Sequence, residues 1–293
     1  MFGLPLFVAA ALQQDGPDPL RLPIGPPGFV RVQAGRIVET ATGATVGLDA
    51  VVRAAEGRRF VILGESHDDA SHHRFQADVL EALAKAGRQV IVGFEMFTRP
   101  VQDRLNPWTL GWKTEDEFIQ ESEWKSQWGF DFALYRPVFE AVRRNRLPMV
   151  ALNVPRDWVR AVGRGGLSAL QPDQRAQLPE RIDLGWKDHR RLFEAMMGGH
   201  PVSGAQGENI YAAQVLWDVG MADTALKAMD RWRRSPKAVM VILAGSGHAM
   251  YGLGINGRIR ERTGEPVLTV VMVGREGEVS RGIGDFVYAS PKP

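Results

Sequence analysis

The stretch Phe60-Val61-Ile62-Leu63-Gly64-Glu65-Ser66-His67 decides the fold. Its first four residues are apolar, and an unbroken apolar run predicts a strand that is buried on both faces. The glycine that follows lets the backbone turn sharply at the end of the strand. An acid and a histidine come next, and in an open α/β sheet the carboxyl ends of the strands are where ligands bind. The stretch therefore predicts a parallel sheet with a functional site at its carboxyl edge.

The same pattern returns near the other end of the chain. The apolar run 239–244 is followed by Gly245-Ser246-Gly247-His248. Both His67 and His248 are thus expected to leave the carboxyl end of a buried strand. Because those ends lie at one edge of a parallel sheet, we expect the two histidines to share a site.

Strands and helices alternate between and beyond the two motifs. The predicted strands cover residues 60–64, 90–95, 149–154, 239–244 and, as the last of the series, 267–273. Residues 163–207 are rich in Gly, Pro and charge and predict an excursion from the sheet, before a long helix over 208–233. The alternation predicts an α/β fold of the chelatase-like kind, a mostly parallel sheet with helices on both faces and a helical excursion around 163–207.

The N-terminal part reads differently. Residues 1–28 are expected to be an irregular lead-in, and residues 29–293 a single α/β domain with an inserted helical segment, 157–235. The domain is expected to begin with a hairpin over 29–38, a turn near Thr42-Gly43 and a short helix over 48–55. The apolar run 2–12 has the length of a signal-peptide core and is too short to span a bilayer, so no transmembrane segment is predicted.

Composition excludes several classes of function. The net charge of the 293-residue chain is only +2, which gives no reason to expect a nucleic-acid partner. The absence of cysteine rules out disulfides, thiolate metal sites, a thiol nucleophile and a lipid-modified cysteine anchor. The chain is therefore not expected to be a lipoprotein. The run 2–12 favours export to the periplasm, although no Lys or Arg precedes it, and a cytoplasmic location is the alternative.

Ionisable side chains follow four of the predicted strands. They are Glu65 and His67, Glu95, Arg156 and His248. Such groups are costly to bury unless they are paired, so their convergence indicates a site. One histidine and one glutamate can act as general base and orienter for an attacking water, as in a hydrolase. Alternatively, Glu65, His67, Glu95 and His248 can hold a divalent metal, or the charged groups can form a purely structural ion-pair network.

Other histidines and aromatic residues carry weaker predictions. His72 and His73 begin the helix after the first motif and are expected to face solvent, with the alternative that one of them faces the site. The tryptophan-rich stretch 107–132 is compatible with core packing, a lid or a dimer surface.

Five short motifs in order resemble one family. They are Gly64-Glu65-Ser66-His67, Gly93-Phe94-Glu95-Met96-Phe97, Leu152-Asn153-Val154-Pro155-Arg156, Ala213-Gln214-Val215-Leu216-Trp217-Asp218 and Ala244-Gly245-Ser246-Gly247-His248. Over most of residues 58–273 the chain resembles the ChaN-like haem-binding uptake family, which belongs to the Tiki superfamily with the TraB proteins and the erythromycin esterases.

The resemblance implies two functions. ChaN-like members bind haem at a dimer interface, where a tyrosine ligates the iron and His and Lys contact the propionates. On that basis Tyr211 is the predicted iron ligand, Lys187 and His189 are the predicted propionate partners, and a homodimer is expected. Enzymes of the superfamily are instead hydrolases that use both Gly-x-x-His histidines and nearby glutamates, some with a divalent metal. Haem binding is the leading hypothesis, a hydrolase is the rival, and an adaptor with a vestigial site is the third possibility.

Overall fold

The computed structural model describes residues 16–198 and 203–292. The apolar run 2–12 and His200, another histidine of the predicted excursion, lie outside these ranges. The strands are β1 (Phe29–Val32), β2 (Ile37–Glu39), β3 (Thr45–Val46), β4 (Phe60–Glu65), β5 (Gln89–Thr98), β6 (Met149–Asn153), β7 (Ala238–Gly245), β8 (Val267–Val273), β9 (Gly277–Ser280) and β10 (Phe286–Ala289). The α-helices are α1 (Leu48–Ala54), α2 (Ala70–Lys85), α3 (Asn106–Thr109), α4 (Glu115–Glu121), α5 (Trp124–Gln127), α6 (Phe132–Arg144), α7 (Arg156–Gly165), α8 (Pro172–Ala176), α9 (Lys187–Met196), α10 (Gly204–Asp230) and α11 (Ile255–Thr263).

Eight of the strands form one sheet in the order β3-β2-β10-β8-β4-β7-β5-β6. All the pairings from β10 to β6 are parallel, and only those of β2 with β10 and with β3 are antiparallel. The prediction of a mostly parallel α/β sheet is therefore confirmed. The five predicted strands are β4, β5, β6, β7 and β8.

Two expectations about the ends of the domain are wrong. Strand β1 does not form a hairpin with β2 but pairs with β9, with Phe29 opposite Ser280, and the hairpin at Thr42-Gly43 joins β2 to β3. Strand β8 is not the last strand, because β9 and β10 follow it. These strands are short, and β1, β9 and β10 find partners far away in sequence, which local pattern does not reveal.

Helices cover both faces of the sheet. Along β4, Val61 and Leu63 pack into a core with α1, α2 and α6, whereas Phe60 and Ile62 pack against α10 and α11. Full burial of each such side chain contributes about 1.5–3 kcal/mol. The alternation explains why the central strands read as continuous apolar runs.

The predicted excursion is helical, as expected, with α8 and α9 between α7 and the long helix α10. Helix α10 lies close to the end of β6, where a Cβ on Gly220 would collide with Val154. The part of the lead-in that the structure describes, residues 16–28, has one short 3-10 turn (Pro19–Arg21) and is packed, since Leu22 and Ile24 are buried in a core that includes β1 and β9 residues. Within residues 16–198 and 203–292 no helix has the length and apolar character needed to cross a membrane.

The strand order places the functional edge. The chain runs from β4 through β5 to β6, then returns through α10 to place β7 between β4 and β5. Ligands of open α/β sheets bind in the crevice beyond the carboxyl ends of strands at such a reversal.

Candidate functional site

Four of the predicted site residues lie together at the carboxyl edge. Glu65 ends β4 opposite Gly245 of β7, and Glu95 lies in β5 on the other side of β7. His67 follows β4 by two residues, and His248 closes a 3-10 helix directly after β7. The sequence prediction that these side chains share one edge agrees with this placement.

Glu65 is the hub of the first half of the site. Its Oε1 accepts a hydrogen bond from the Tyr135 hydroxyl (2.7 Å) and lies 3.0 Å from His67 Nδ1. Its Oε2 accepts from Gln76 Nε2 (2.8 Å) and lies 3.0 Å from His73 Nε2. Burial alone would raise the pKa of Glu65, but His67 and His73 hold it well below the usual range. Glu65 is therefore a buried carboxylate anion.

His67 is the accessible histidine of the pair. Its side chain is 26% exposed, and its Nδ1 is held by Glu65. The ring packs against the edge of Trp128, with centroids 4.6 Å apart. Burial favours the neutral imidazole, but Glu65 and Glu95 outweigh it and raise the pKa of His67. Among the residues that the structure describes, none forms a hydrogen bond with His67 Nε2, so this nitrogen is available to a ligand.

Glu95 lies between the two motif histidines. Its Oε2 accepts a hydrogen bond from the Gly245 backbone N–H (2.6 Å), and its Oε1 lies 3.4 Å from His248 Nε2. The Asn153 side-chain amide donates to the Glu95 backbone carbonyl (3.1 Å) and steadies the strand there. Burial opposes ionisation, but the charge of His248 lowers the pKa of Glu95.

His248 is held from the other side by helix α10. Its Nδ1 lies 2.6 Å from Asp218 Oδ1, and Asp218 Oδ2 lies 3.1 Å from His189 Nε2. His189 Nδ1 in turn lies 3.0 Å from the Tyr211 hydroxyl. Although burial opposes the charge, Glu95 and Asp218 raise the pKa of His248 to about 10, so it is an imidazolium near neutral pH. The same histidinium lowers the pKa of Asp218 against the effect of burial.

Sequence reasoning missed Asp218 as a site residue. A usable signal was present, because Asp218 stands within the otherwise apolar run 215–222 of a predicted helix. A carboxylate in such a run is costly to bury unless it is paired. The role of Tyr135 as a Glu65 partner was also missed, since the sequence gives no indication that this core tyrosine directs its hydroxyl at the site.

Gly245 is needed because the His67 ring packs closely against its Cα, and not because the backbone turns there. Its φ of −58° is open to any residue, which corrects the expected reason for the motif glycine. A Cβ at this position would lie 2.8 Å from His67 Cε1. A Cβ on Gly64 would similarly lie 3.0 Å from the Cβ of Ala249. The two glycines therefore let the two motifs pack against each other.

The expectation that His72 and His73 face solvent is wrong. Both are fully buried, and His73 faces Glu65. His72 resembles the base of a Ser–His–Asp triad, with Nε2 3.1 Å from the Ser290 hydroxyl, which donates to Asp69. Its Nδ1, however, accepts from the Ser66 backbone N–H (2.9 Å), so Nε2 carries the proton of the neutral ring and cannot accept one. This cluster ties the first motif to the C-terminal segment.

Arg156 and the predicted haem ligands lie outside the His–Glu cluster. Arg156 begins α7, half-buried, and forms no ion pair with any residue in the described ranges. Burial lowers its pKa, while the charge of Glu95 acts in the opposite direction. Lys187 is exposed at the start of α9, whereas Tyr211 and His189 are buried against each other. Burial raises the pKa of Tyr211 to about 12, so this phenol is not poised to ionise.

The prediction of a divalent metal site gains no support. In residues 16–198 and 203–292, no group of three or more His, Asp or Glu side chains is arranged to hold a metal ion. The carboxylate oxygens that a metal would need are already engaged, those of Glu65 by side chains and Oε2 of Glu95 by a backbone N–H.

The tryptophan-rich stretch is mainly core. Trp108, Trp124 and Trp128 are buried in the same core as α2 and α6, and only Trp112 is strongly exposed, at 72%. Trp128 also forms one wall of the site beside His67.

Fold and site together define a class, the open parallel α/β proteins with two carboxylate-supported histidines at the carboxyl edge of the sheet. A family model described as haem-binding uptake, Tiki superfamily, ChaN, matches residues 51–259, and the chain belongs to that family.

Solved structures of similar fold include the one described as cofacial haem binding to ChaN of Campylobacter jejuni. It is 18% identical with a TM-score of 0.68, and the match covers 87% of this chain and 98% of that one. A mutant of the erythromycin esterase EreC in its open conformation is 12% identical with a TM-score of 0.48, over 85% of this chain and 77% of that one. No curated protein sequence matches the chain at a significant level. The likeness to ChaN confirms the fold.

Proposed function

We propose that this chain binds haem. The observation that carries the proposal is the match of the haem-binding uptake family model to residues 51–259, which include both motifs and the carboxyl ends of β4, β5, β6 and β7. We further propose that two copies of the chain hold the haem between them, as the resemblance implies, and that the protein works in haem uptake outside the cytoplasm.

The predicted ligand set does not form an open haem site. Tyr211 is fully buried, and the Arg190 guanidinium lies over its ring, 4.2 Å from the centroid. An iron ligand must reach the metal with a free phenolate oxygen, whereas the Tyr211 hydroxyl is paired with His189. Lys187 is accessible and suits a propionate carboxylate by charge. The proposal of haem binding therefore does not depend on Tyr211.

Titration of the purified apoprotein with hemin tests the proposal. We expect a saturable Soret band that differs from that of free hemin, and light scattering should show whether the loaded protein is a dimer. A spectrum that remains the sum of protein and free hemin would refute haem binding. Lys187→Ala should weaken binding without altering the band position, because it removes only a propionate contact.

A second function is favoured by one specific observation, the two histidines that flank Glu95, each with its own buried carboxylate. We propose that His67 acts as a general base, oriented by Glu65 through Nδ1 and leaving Nε2 for a water molecule. His248, as an imidazolium, would stabilise negative charge that develops on the substrate oxygen. This arrangement suits hydrolysis of an ester or amide, in which the proton that His67 takes from water passes to the leaving oxygen or nitrogen as the bond from that atom to the acyl carbon breaks.

The hydrolase is tested with a panel of ester and peptide substrates, after metal analysis of the protein. His67→Ala should lower kcat by about 10²–10⁴-fold, the usual contribution of a general base. Asp68→Asn, an exposed neighbour in the same loop, is the matched control and should leave kcat unchanged. A kcat of His67→Ala equal to that of the wild type would rule out this mechanism.

The pH profile provides an independent check. His67 must lose its proton to act as a base, and its raised pKa places this rise in rate above about pH 6.5. His248 must keep its proton, so the rate should fall again near pH 10. We therefore expect a bell-shaped dependence of the rate on pH. The residual activity of His67→Ala should lack the rise on the acid side.

A further inference from the structure

The two motif histidines are supported by matching sets of side chains. The His67 support consists of Glu65, His73 and Tyr135, and the His248 support consists of Asp218, His189 and Tyr211. Each set contains one carboxylate that contacts the motif histidine, a second histidine on the other carboxylate oxygen, and a tyrosine. All six supporting side chains are buried. Because the two sets match, we expect the side chains around His248 to orient its ring as Glu65 orients that of His67.

The proton positions in the His248 support follow from its members. Asp218 can only accept, so the His248 Nδ1–H donates to Oδ1 and a His189 Nε2–H faces Oδ2. The other ring nitrogen of His189, Nδ1, lies 3.0 Å from the Tyr211 hydroxyl, which can donate to it when the ring carries its proton on Nε2. Each member thus determines the donor direction of the next one.

The support also isolates Tyr211 from solvent. Arg190 covers its ring, and the Trp186 carbonyl lies 3.5 Å from its hydroxyl. A hydroxyl enclosed in this way has one strong partner, His189. Its geometry is that of the last member of a buried series of polar contacts, from His248 through Asp218 and His189, and not of a ligand for a cofactor that arrives from solution.

We infer that Asp218, His189 and Tyr211 are positioning residues that hold the His248 ring with Nδ1 on Asp218 and Nε2 toward Glu95 and the substrate. Tyr211 acts through His189 and does not ligate haem iron. The catalytic consequence rests on the proposed hydrolase function, whereas the positioning itself is a property of the folded chain.

Nuclear magnetic resonance of the full chain with ¹⁵N-labelled histidine tests the inference without a substrate. The 2.6 Å contact of His248 Nδ1 with Asp218 predicts a far-downfield proton, which Asp218→Asn should abolish. His189→Gln and Tyr211→Phe should shift the His248 resonances but keep them. Tyr135→Phe is the matched control, because it should shift His67 and leave His248 unchanged.

Each outcome has a definite meaning. Unchanged His248 resonances in both His189→Gln and Tyr211→Phe, with a folded spectrum, would overturn the inference. If His189→Gln does not fold, Tyr211→Phe decides alone, since it removes a single oxygen atom. Tyr211→Phe should also leave the hemin spectrum unaltered, and loss of the Soret shift would overturn the assignment of Tyr211. Absence of turnover, or of hemin binding by the wild type, would refute the corresponding proposed function without changing the His248 result.

Discussion

The two Gly-x-x-His motifs share a pattern but differ in where their histidines find support. In the first motif the second position is Glu65, which holds His67 from within the same tetrapeptide. In the second motif that position is Ser246, whose hydroxyl donates to the Met272 backbone carbonyl instead (3.2 Å). His248 takes its carboxylate, Asp218, from helix α10.

This difference teaches that one half of the site is local and the other depends on tertiary packing. The pair of Glu65 and His67 forms once β4 and the loop after it are in place. The pair of Asp218 and His248 requires that α10 dock on the sheet, with Gly220 against Val154. The local half is also the more open one, since the His67 side chain is 26% exposed and that of His248 is 9% exposed.

The largest effect is expected when Glu65 is changed. Glu65→Gln removes a buried carboxylate that holds two histidines and should lower the free energy of unfolding by about 3–5 kcal/mol. The equivalent change in the other motif, Ser246→Ala, removes one neutral hydrogen bond and should cost about 1 kcal/mol. Urea denaturation measures both, and equal costs would contradict the proposed asymmetry. Asp68→Asn is the exposed control.

The second prediction concerns the His248 half of the site and the pH dependence of the free energy of unfolding. His248 has a pKa of about 10 in the folded protein, above the value of about 6.5 for an unfolded chain. Its stabilising contribution is therefore complete below about pH 6.5 and is lost as the pH rises toward 10. From pH 7 upward the free energy of unfolding should fall by up to about 1.4 kcal/mol per pH unit. Asp218→Asn, less stable at pH 7, should show a flatter dependence in urea titrations, and an unchanged slope would refute the coupling.

A smaller effect is expected from Gly245→Ala, which tests how closely the motifs pack. The added methyl group meets His67 at 2.8 Å and should cost about 1–3 kcal/mol, because ring and strand must separate. Gly277→Ala is the matched control, since a Cβ there meets nothing within 4 Å. Thermal unfolding of both variants, with the histidine resonances of His67, checks the prediction. The prediction would be wrong if Gly245→Ala had the same stability and the same His67 resonances as Gly277→Ala.

The smallest difference is expected between the two supporting tyrosines. Tyr135 donates to a carboxylate at 2.7 Å, whereas Tyr211 faces a ring nitrogen at 3.0 Å. Hydrogen bonds to charged groups are the stronger ones, so Tyr135→Phe should destabilise the protein by about 1 kcal/mol more than Tyr211→Phe. Denaturation of the two variants under identical conditions measures this difference, and the reverse order would indicate that Glu65 is less dependent on its partners than the structure implies.

The amino-acid sequence by itself determined the parallel α/β fold and the position of the site. Short apolar runs that are rich in β-branched residues and end at Gly or Pro are typical of strands with both faces covered, and the polar residues Glu65, His67, Glu95 and His248 follow or end such runs. These features are local, because an apolar run and the polar residue that follows it are adjacent in the sequence.

Only the tertiary structure decided which side chains complete the site. Asp218 reaches His248, and Tyr135 reaches Glu65, because helices α10 and α6 dock on opposite faces of the sheet. The packing of α9 against α10 enclosed Tyr211, which the resemblance had assigned to haem iron, and brought its hydroxyl to His189. The pairing of β1 with β9 was decided in the same way. In each case the partners are distant in sequence, so their contact depends on how elements pack and not on any local pattern.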